Sequence, residues 1–190
     1  MNTVKNHTKE FVVLTILLAL AVSVVNAAVF VYYPISITAQ WGPRPVYFAE
    51  GTNAGGTDLG AGNTITVSLS EEDTSASITV HPSRRGTTRY KDVLRIVNSD
   101  TQAYYIGFTV DTAFDDSAIS VAQLIVRTTG GALVGTVDLT STGTTWVPWT
   151  LDASSQLRVD LRFTISSGSS GSDSASITLV YSPQNSESPP

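Results

Sequence analysis

Few side chains in this 190-residue chain have the type and spacing that chemistry needs. There is no cysteine, and the only histidines are His7 and His81. His7 precedes a long apolar run, so a nucleophile paired with an imidazole would have to use His81. That residue sits beside Pro82 where an alternating apolar stretch ends, a setting that reads as a strand end facing solvent. Zinc takes three or four Cys, His or carboxylate ligands, and the sequence holds no such cluster. Carboxylates gather in two places, Asp111 with Asp115 and Asp116, and Glu71-Glu72-Asp73. Either group could hold calcium weakly, but neither has the spacing of a recognised calcium loop, and solvated turns account for both. Nothing favours two carboxyls converging in a cleft, as glycoside hydrolysis requires. The expectation is a protein with no catalytic, cofactor or metal site, and hence no enzyme.

Two other groups could recognise a partner. Trp41, Trp146 and Trp149 offer faces on which a sugar ring could stack, although on a β-sandwich such residues more often serve the core or a subunit contact. Arg84, Arg85, Arg89 and Lys91 either pair with an acidic patch on a neighbour or form a solvated hairpin tip, and both readings stay open. Lys91 is the only lysine after Lys9, so a lysine isopeptide cross-link has one donor at most.

The elements that position these residues begin with an export signal. Lys5 and Lys9 precede the apolar run Phe11 to Val25, and Val25-Asn26-Ala27 supplies small residues at −3 and −1. Residues 1–27 therefore read as a secretory leader cut between Ala27 and Ala28. The new terminus alternates strictly, with Val29, Val31, Tyr33, Ile35 and Ile37 on one face. A terminal strand this apolar, residues 28–40, needs a groove, and a neighbouring subunit can supply one. A rival reading keeps residues 11–33 as an uncleaved membrane helix bearing a surface domain. A type IV pilin is less well matched, because Lys9-Glu10-Phe11 lacks the small residue usual at that cut.

Removing the leader leaves nine Lys/Arg against fifteen Asp/Glu, a balance that argues against nucleic acid as a partner. No second long apolar run follows, so contact with a membrane is expected only during export. A secreted domain without disulfides must stand on its core or on assembly.

Beyond the leader, apolar residues recur at period two between Gly, Ser, Thr, Asn and Asp clusters, and no helix is expected. Strands are predicted around residues 46–49, at Ile65-Val67-Leu69, at Ala76-Ile78-Val80, and at 93–98, the last apolar on both sides and so central in a sheet. Tyr104 to Val110 alternates, and Leu124-Ile125-Val126 turns through Thr129-Gly130-Gly131 into Leu133, Val137 and Leu139. Leu157 to Ile165 is the clearest strand, with Ala175 to Tyr181 as its expected hairpin partner across Ser166 to Asp173. Residues 51–63, with five glycines, read as a long flexible loop. About nine strands make residues 41–182 a single all-β domain, a β-sandwich of jelly-roll or immunoglobulin-like shape, followed by a polar tail at 183–190.

The start Ala28-Val29-Phe30-Val31-Tyr32-Tyr33-Pro34-Ile35 is similar to that of archaeal bundling-pilus subunits, relatives of the TasA/camelysin biofilm fibre proteins. The resemblance continues through Val46-Tyr47-Phe48, residues 53–60, Tyr90 to Asn98, Leu157 to Ile165 and Leu179-Val180-Tyr181, most of the mature chain. It implies a jelly-roll-like sandwich lacking one strand, completed by the N-terminal donor strand of the next subunit. It further implies an extracellular, head-to-tail homopolymer whose filaments bundle through lateral contacts and hold cells together in biofilm. The donor face would then be Val29, Val31, Tyr33, Ile35 and Ile37. The final hairpin, through Leu157, Leu161 and Leu179, is the expected acceptor groove.

Overall fold

Period-two alternation becomes ten strands in the computed structural model, which describes residues 3–25, 33–40, 42, 44–166, 168 and 171–185. Ala27, Ala28, Val29, Val31 and Trp41 lie outside the described residues, as does the side chain of Trp149. The chain divides into two units, Met1–Gly42 and Pro43–Pro190.

In the first unit α1 runs Thr3–Val25, with Phe11 to Leu18 exposed. No helix among the described residues is long and apolar enough to cross a membrane. Residues 33–40 have no regular secondary structure and are exposed throughout. Among the described residues no strand pairs with this part of the expected N-terminal strand. An extended segment without a neighbour has no ladder to join.

In the second unit the strands are β1 (Val46–Glu50), β2 (Thr66–Leu69), β3 (Ala76–Thr79), β4 (Gly86–Asn98) and β5 (Tyr104–Thr112), followed by β6 (Ile119–Thr128), β7 (Leu133–Asp138), β8 (Gly143–Leu151), β9 (Gln156–Ile165) and β10 (Ser176–Ser182). A five-stranded sheet has the order β1-β4-β9-β6-β7 and a three-stranded sheet the order β10-β5-β8. The β2–β3 hairpin stands apart from both, and every pairing is antiparallel. The architecture is all-β and sandwich-like. Ile96, Val126, Val137 and Val159 from the larger sheet share one core with Ile106 and Leu151 from the smaller, each fully buried. Burial of such side chains stabilises by roughly 1.5–3 kcal/mol each.

Strand β4 is central, between β1 and β9, as its two-sided apolar character predicts. The β6–β7 and β2–β3 hairpins also form where turn residues place them. The expected β9–β10 hairpin does not form. β9 pairs with β4 and β6, and β10 pairs with β5 in the other sheet. The chain after Ile165 crosses between layers, because both edges of β9 are already occupied. Nor is the glycine-rich stretch 51–63 an open loop. Gly55 N–H donates to Ile65 O (2.7 Å), Asp58 N–H to Asn63 O (2.9 Å), and Thr57 bridges to Thr64.

Candidate functional site

Two edge strands face an unfilled space in the second unit. β1 ends the five-stranded sheet and β10 ends the three-stranded one. Between them opens a groove of about 400 Å³. Its floor is core: Leu94 and Ile96 of β4, Val159 of β9 and Phe108 of β5. Val46 and Phe48 line the β1 side, Ile177, Leu179 and Tyr181 the β10 side, and Ala76 and Ile78 of β3 close one wall. Tyr181 is 39 % exposed and stands edge-on to Tyr104 at 5.4 Å. The β2–β3 hairpin is tethered to β1 where Phe48 N–H donates to Asp73 O (2.8 Å). Apolar core side chains thus line a gap whose β10 side carries an unpaired strand edge, an arrangement that proteins ordinarily cover.

Leu179 lines this groove. Leu157 and Leu161 do not. Both are buried on β9, in the middle of the five-stranded sheet. In the other unit Tyr33, Ile35 and Ile37 are 84 %, 82 % and 87 % exposed.

The polar candidates fall elsewhere. The His81 ring is half-exposed, with Nδ1 3.1 Å from Asp58 Oδ2, and its backbone N–H donates to the same oxygen at 2.6 Å. Burial disfavours the Asp58 charge, but the N–H donors of Leu59 and His81 outweigh it and hold the carboxyl below its usual range. Burial, with Asp58 nearby, pushes the Tyr90 phenol well above its ordinary value. This is a pin between the 51–63 loop and the end of β3. Sequence reasoning found His81 but not its partner, which lies 23 residues away.

A second polar cluster was not visible in the sequence. Asp92 occupies a bulge of β4 at φ +48°, a left-handed conformation that Asp tolerates better than most residues. Arg95 grips it in a fork, Nε to Oδ1 at 3.0 Å and Nη2 to Oδ2 at 2.8 Å. That grip, opposed by burial and aided by the Thr52 hydroxyl at 2.7 Å, lowers the Asp92 pKa to about 2. Asp92 N–H donates to Asp160 Oδ1 (2.8 Å), and Asp160 also meets Arg127 Nε at 3.0 Å and Arg158 Nε at 3.1 Å.

Of the acidic residues, Asp115 and Asp116 donate backbone N–H to Asp173 Oδ2, each at 2.9 Å, while Asp111 accepts the Thr178 hydroxyl at 2.7 Å. No three His, Asp or Glu among the described residues converge as ligands. Trp146 lies across Gly107 on the outer side of the three-stranded sheet. Arg84, Arg85, Arg89 and Lys91 are exposed on β4 and the loop before it. No family model matches the chain, and no curated protein matches it at a significant level.

Proposed function

We propose that the chain is a structural subunit of an extracellular filament, assembled when the N-terminal segment of one copy fills the groove of the next. The observation that carries this is the pairing of an open core groove with an exposed apolar segment outside the domain. The groove has an apolar floor and the free edge of β10 on one side. Tyr33, Ile35 and Ile37 alternate on one face, as a strand entering such a groove requires. Lengths agree: Tyr33 to Ala39 is seven residues, and β10 has 7. Burying the three exposed side chains gives roughly 5–9 kcal/mol before ordering costs. Val29 and Val31 extend the same face.

In this reading the fold is a jelly-roll-like sandwich one strand short, and the inserted strand covers the edge of β10. Pro34 falls on the opposite face, where its missing N–H costs least if it points away from β10. Head-to-tail insertion does not close on itself, so it yields a linear polymer. Export through the N-terminal leader places the polymer outside the cell, where its filaments bundle and hold cells together. The subunit is a building material, not an enzyme.

The test is negative-stain electron microscopy of the secreted chain beside a variant lacking residues 28–39. Uniform fibres from the first and none from the second are expected. Fibres of normal appearance from the truncated chain would refute the reading.

A further inference from the structure

The outer face of the five-stranded sheet differs in charge from the chain as a whole. Cross-strand register sets Arg95 of β4, Arg158 of β9 and Arg127 of β6 side by side in one row. Two rows along, roughly 13 Å at strand spacing, Arg89 lies opposite Arg162. The face also holds Asp92 and Asp160, both buried. Asp92 is engaged by Arg95, and Asp160 by Arg127 and Arg158. Neither carboxylate is left to neutralise the remaining cations. Among the described residues Arg89 and Arg162 have no carboxylate within 4.0 Å. Arg162 Nη1 reaches only Gln123 Oε1 at 3.3 Å, and its buried Nε has no hydrogen-bond partner. Asp138 of β7, opposite Gln123 in the Arg162 row, adds a third carboxylate, and five arginines against three aspartates still make this face net positive on a chain of net charge −5.

The compensating acid is exposed and gathered elsewhere. Asp173 draws the Asp115-Asp116 turn toward itself through two backbone N–H bonds, and all three residues keep solvent access. Guanidinium groups pair with carboxylates through two parallel hydrogen bonds, which gives direction as well as attraction. A surface of one sign and a turn of the other on the same chain are complementary between copies.

We infer that the arginine face of the five-stranded sheet docks the Asp115-Asp116-Asp173 turn of a second copy of this chain. The contact is separate from the groove and joins subunits side by side, so it deepens the filament reading and rests on it for its lateral role. Arg89 and Arg162 supply the free cations. Arg95, Arg127 and Arg158, held by Asp92 and Asp160, form the fixed part of the surface. Attraction between partly exposed charges weakens with salt, so the contact is salt-sensitive.

Full-length chain is secreted in three forms: unaltered, Arg89→Glu/Arg162→Glu, and Asp115→Arg/Asp116→Arg. Single filaments are scored by electron microscopy, and lateral association by low-speed pelleting at about 20 mM and about 500 mM NaCl. Unaltered filaments should pellet at low salt and disperse at high salt. Each variant alone should form single filaments with at least a tenfold smaller pelleted fraction, and mixing the two preformed variants should restore it. Pelleting that survives both variants overturns the proposal. So does loss that mixing fails to restore, the result expected if the face binds an anionic polysaccharide instead. Should Arg162→Glu impair folding by circular dichroism, Arg89→Glu alone carries the test, because Arg89 is exposed. If no form makes filaments, the groove reading fails separately. The docking contact is then read by sedimentation velocity: salt-sensitive self-association of the unaltered chain, lost in each variant and regained in the mixture, supports it, and its absence overturns it.

Discussion

Replacing Asp160 by Ala should be among the most damaging single changes in the domain. The side chain is 9 % exposed; its oxygens accept from Asp92 N–H at 2.8 Å and Arg127 Nε at 3.0 Å, and Oδ1 is ion-paired with Arg158 at 3.1 Å to Nε. Alanine leaves a buried N–H without its acceptor and two guanidiniums facing each other across β9 and β6. Removing one partner of a buried ion pair costs about 3–5 kcal/mol. The arginines are 29 % and 23 % exposed at their side chains, so water recovers part of the loss and the lower end applies. About 3 kcal/mol is a fifth or more of a typical total stability of roughly 5–15 kcal/mol. Urea denaturation followed by tryptophan fluorescence should show the midpoint falling by about 1–3 M, at a slope of roughly 1–3 kcal/mol per molar. Asp160→Asn keeps one acceptor for Asp92 N–H and should lose less. The double change with Arg127→Ala should cost less than the two singles added together, because the second removes a charge the first left unpaired. A loss under about 1 kcal/mol for Asp160→Ala, or strict additivity in the double variant, would refute the coupled network.

Asp92 gives a pH dependence of known sign. Its folded pKa of about 2 lies below the unfolded value of 3.8, so its contribution is complete above the unfolded value and is lost as pH falls toward 2. That contribution is roughly 2 kcal/mol, and the stability gap between the natural chain and Asp92→Asn should narrow across that window in urea titrations. Gly51→Ala should lower the urea midpoint by the equivalent of about 3 kcal/mol or more. The new Cβ would sit 1.9 Å from the Asp92 carbonyl oxygen, a backbone atom that cannot swing aside. Asn98→Asp should cost about 3 kcal/mol in thermal unfolding. Nδ2 donates to the carbonyls of Gln102, Leu151 and Asp152, and an oxygen there would repel all three.

The legible part of the fold is what local pattern controls. Alternation at Tyr104 to Val110 and at Leu157 to Phe163 marks one buried face, and both sets are buried. Gly130-Gly131 marks the β6–β7 turn because a two-strand ribbon must close within a few residues. Alternation does not say which sheet a strand joins. Leu157 and Leu179 look alike in sequence, yet one is sealed in the middle of the larger sheet and the other lines the groove at the edge of the smaller. The expected hairpin between their strands failed on that point, and of its three residues only Leu179 lines the groove. The polar pins were hidden for a similar reason. Asp58 meets His81, and Asp92 meets Asp160 68 residues on, through pairings that only the tertiary fold creates.

The groove and the arginine face bear on one question, how a small domain without disulfides stays both folded and sociable. An unfilled groove leaves apolar side chains such as Leu179 and Tyr181 partly open to solvent at its mouth, a cost that, in the filament reading, the isolated domain carries until a strand enters. The outer face of the same sheet is bound in the opposite way. Asp92 and Asp160 tie β4, β9 and β6 together by charge, and the inner side chains of β4 and β9 form part of the groove floor. In the filament reading, rigid outer bonding would hold that floor open for the incoming strand. Weakening the network at Asp160 should therefore reach the groove as well as overall stability. Subunits carrying Asp160→Asn, still folded, should polymerise more slowly than their loss of stability alone explains. Equal polymerisation rates at matched folded concentrations would show that the two sides of the sheet act independently.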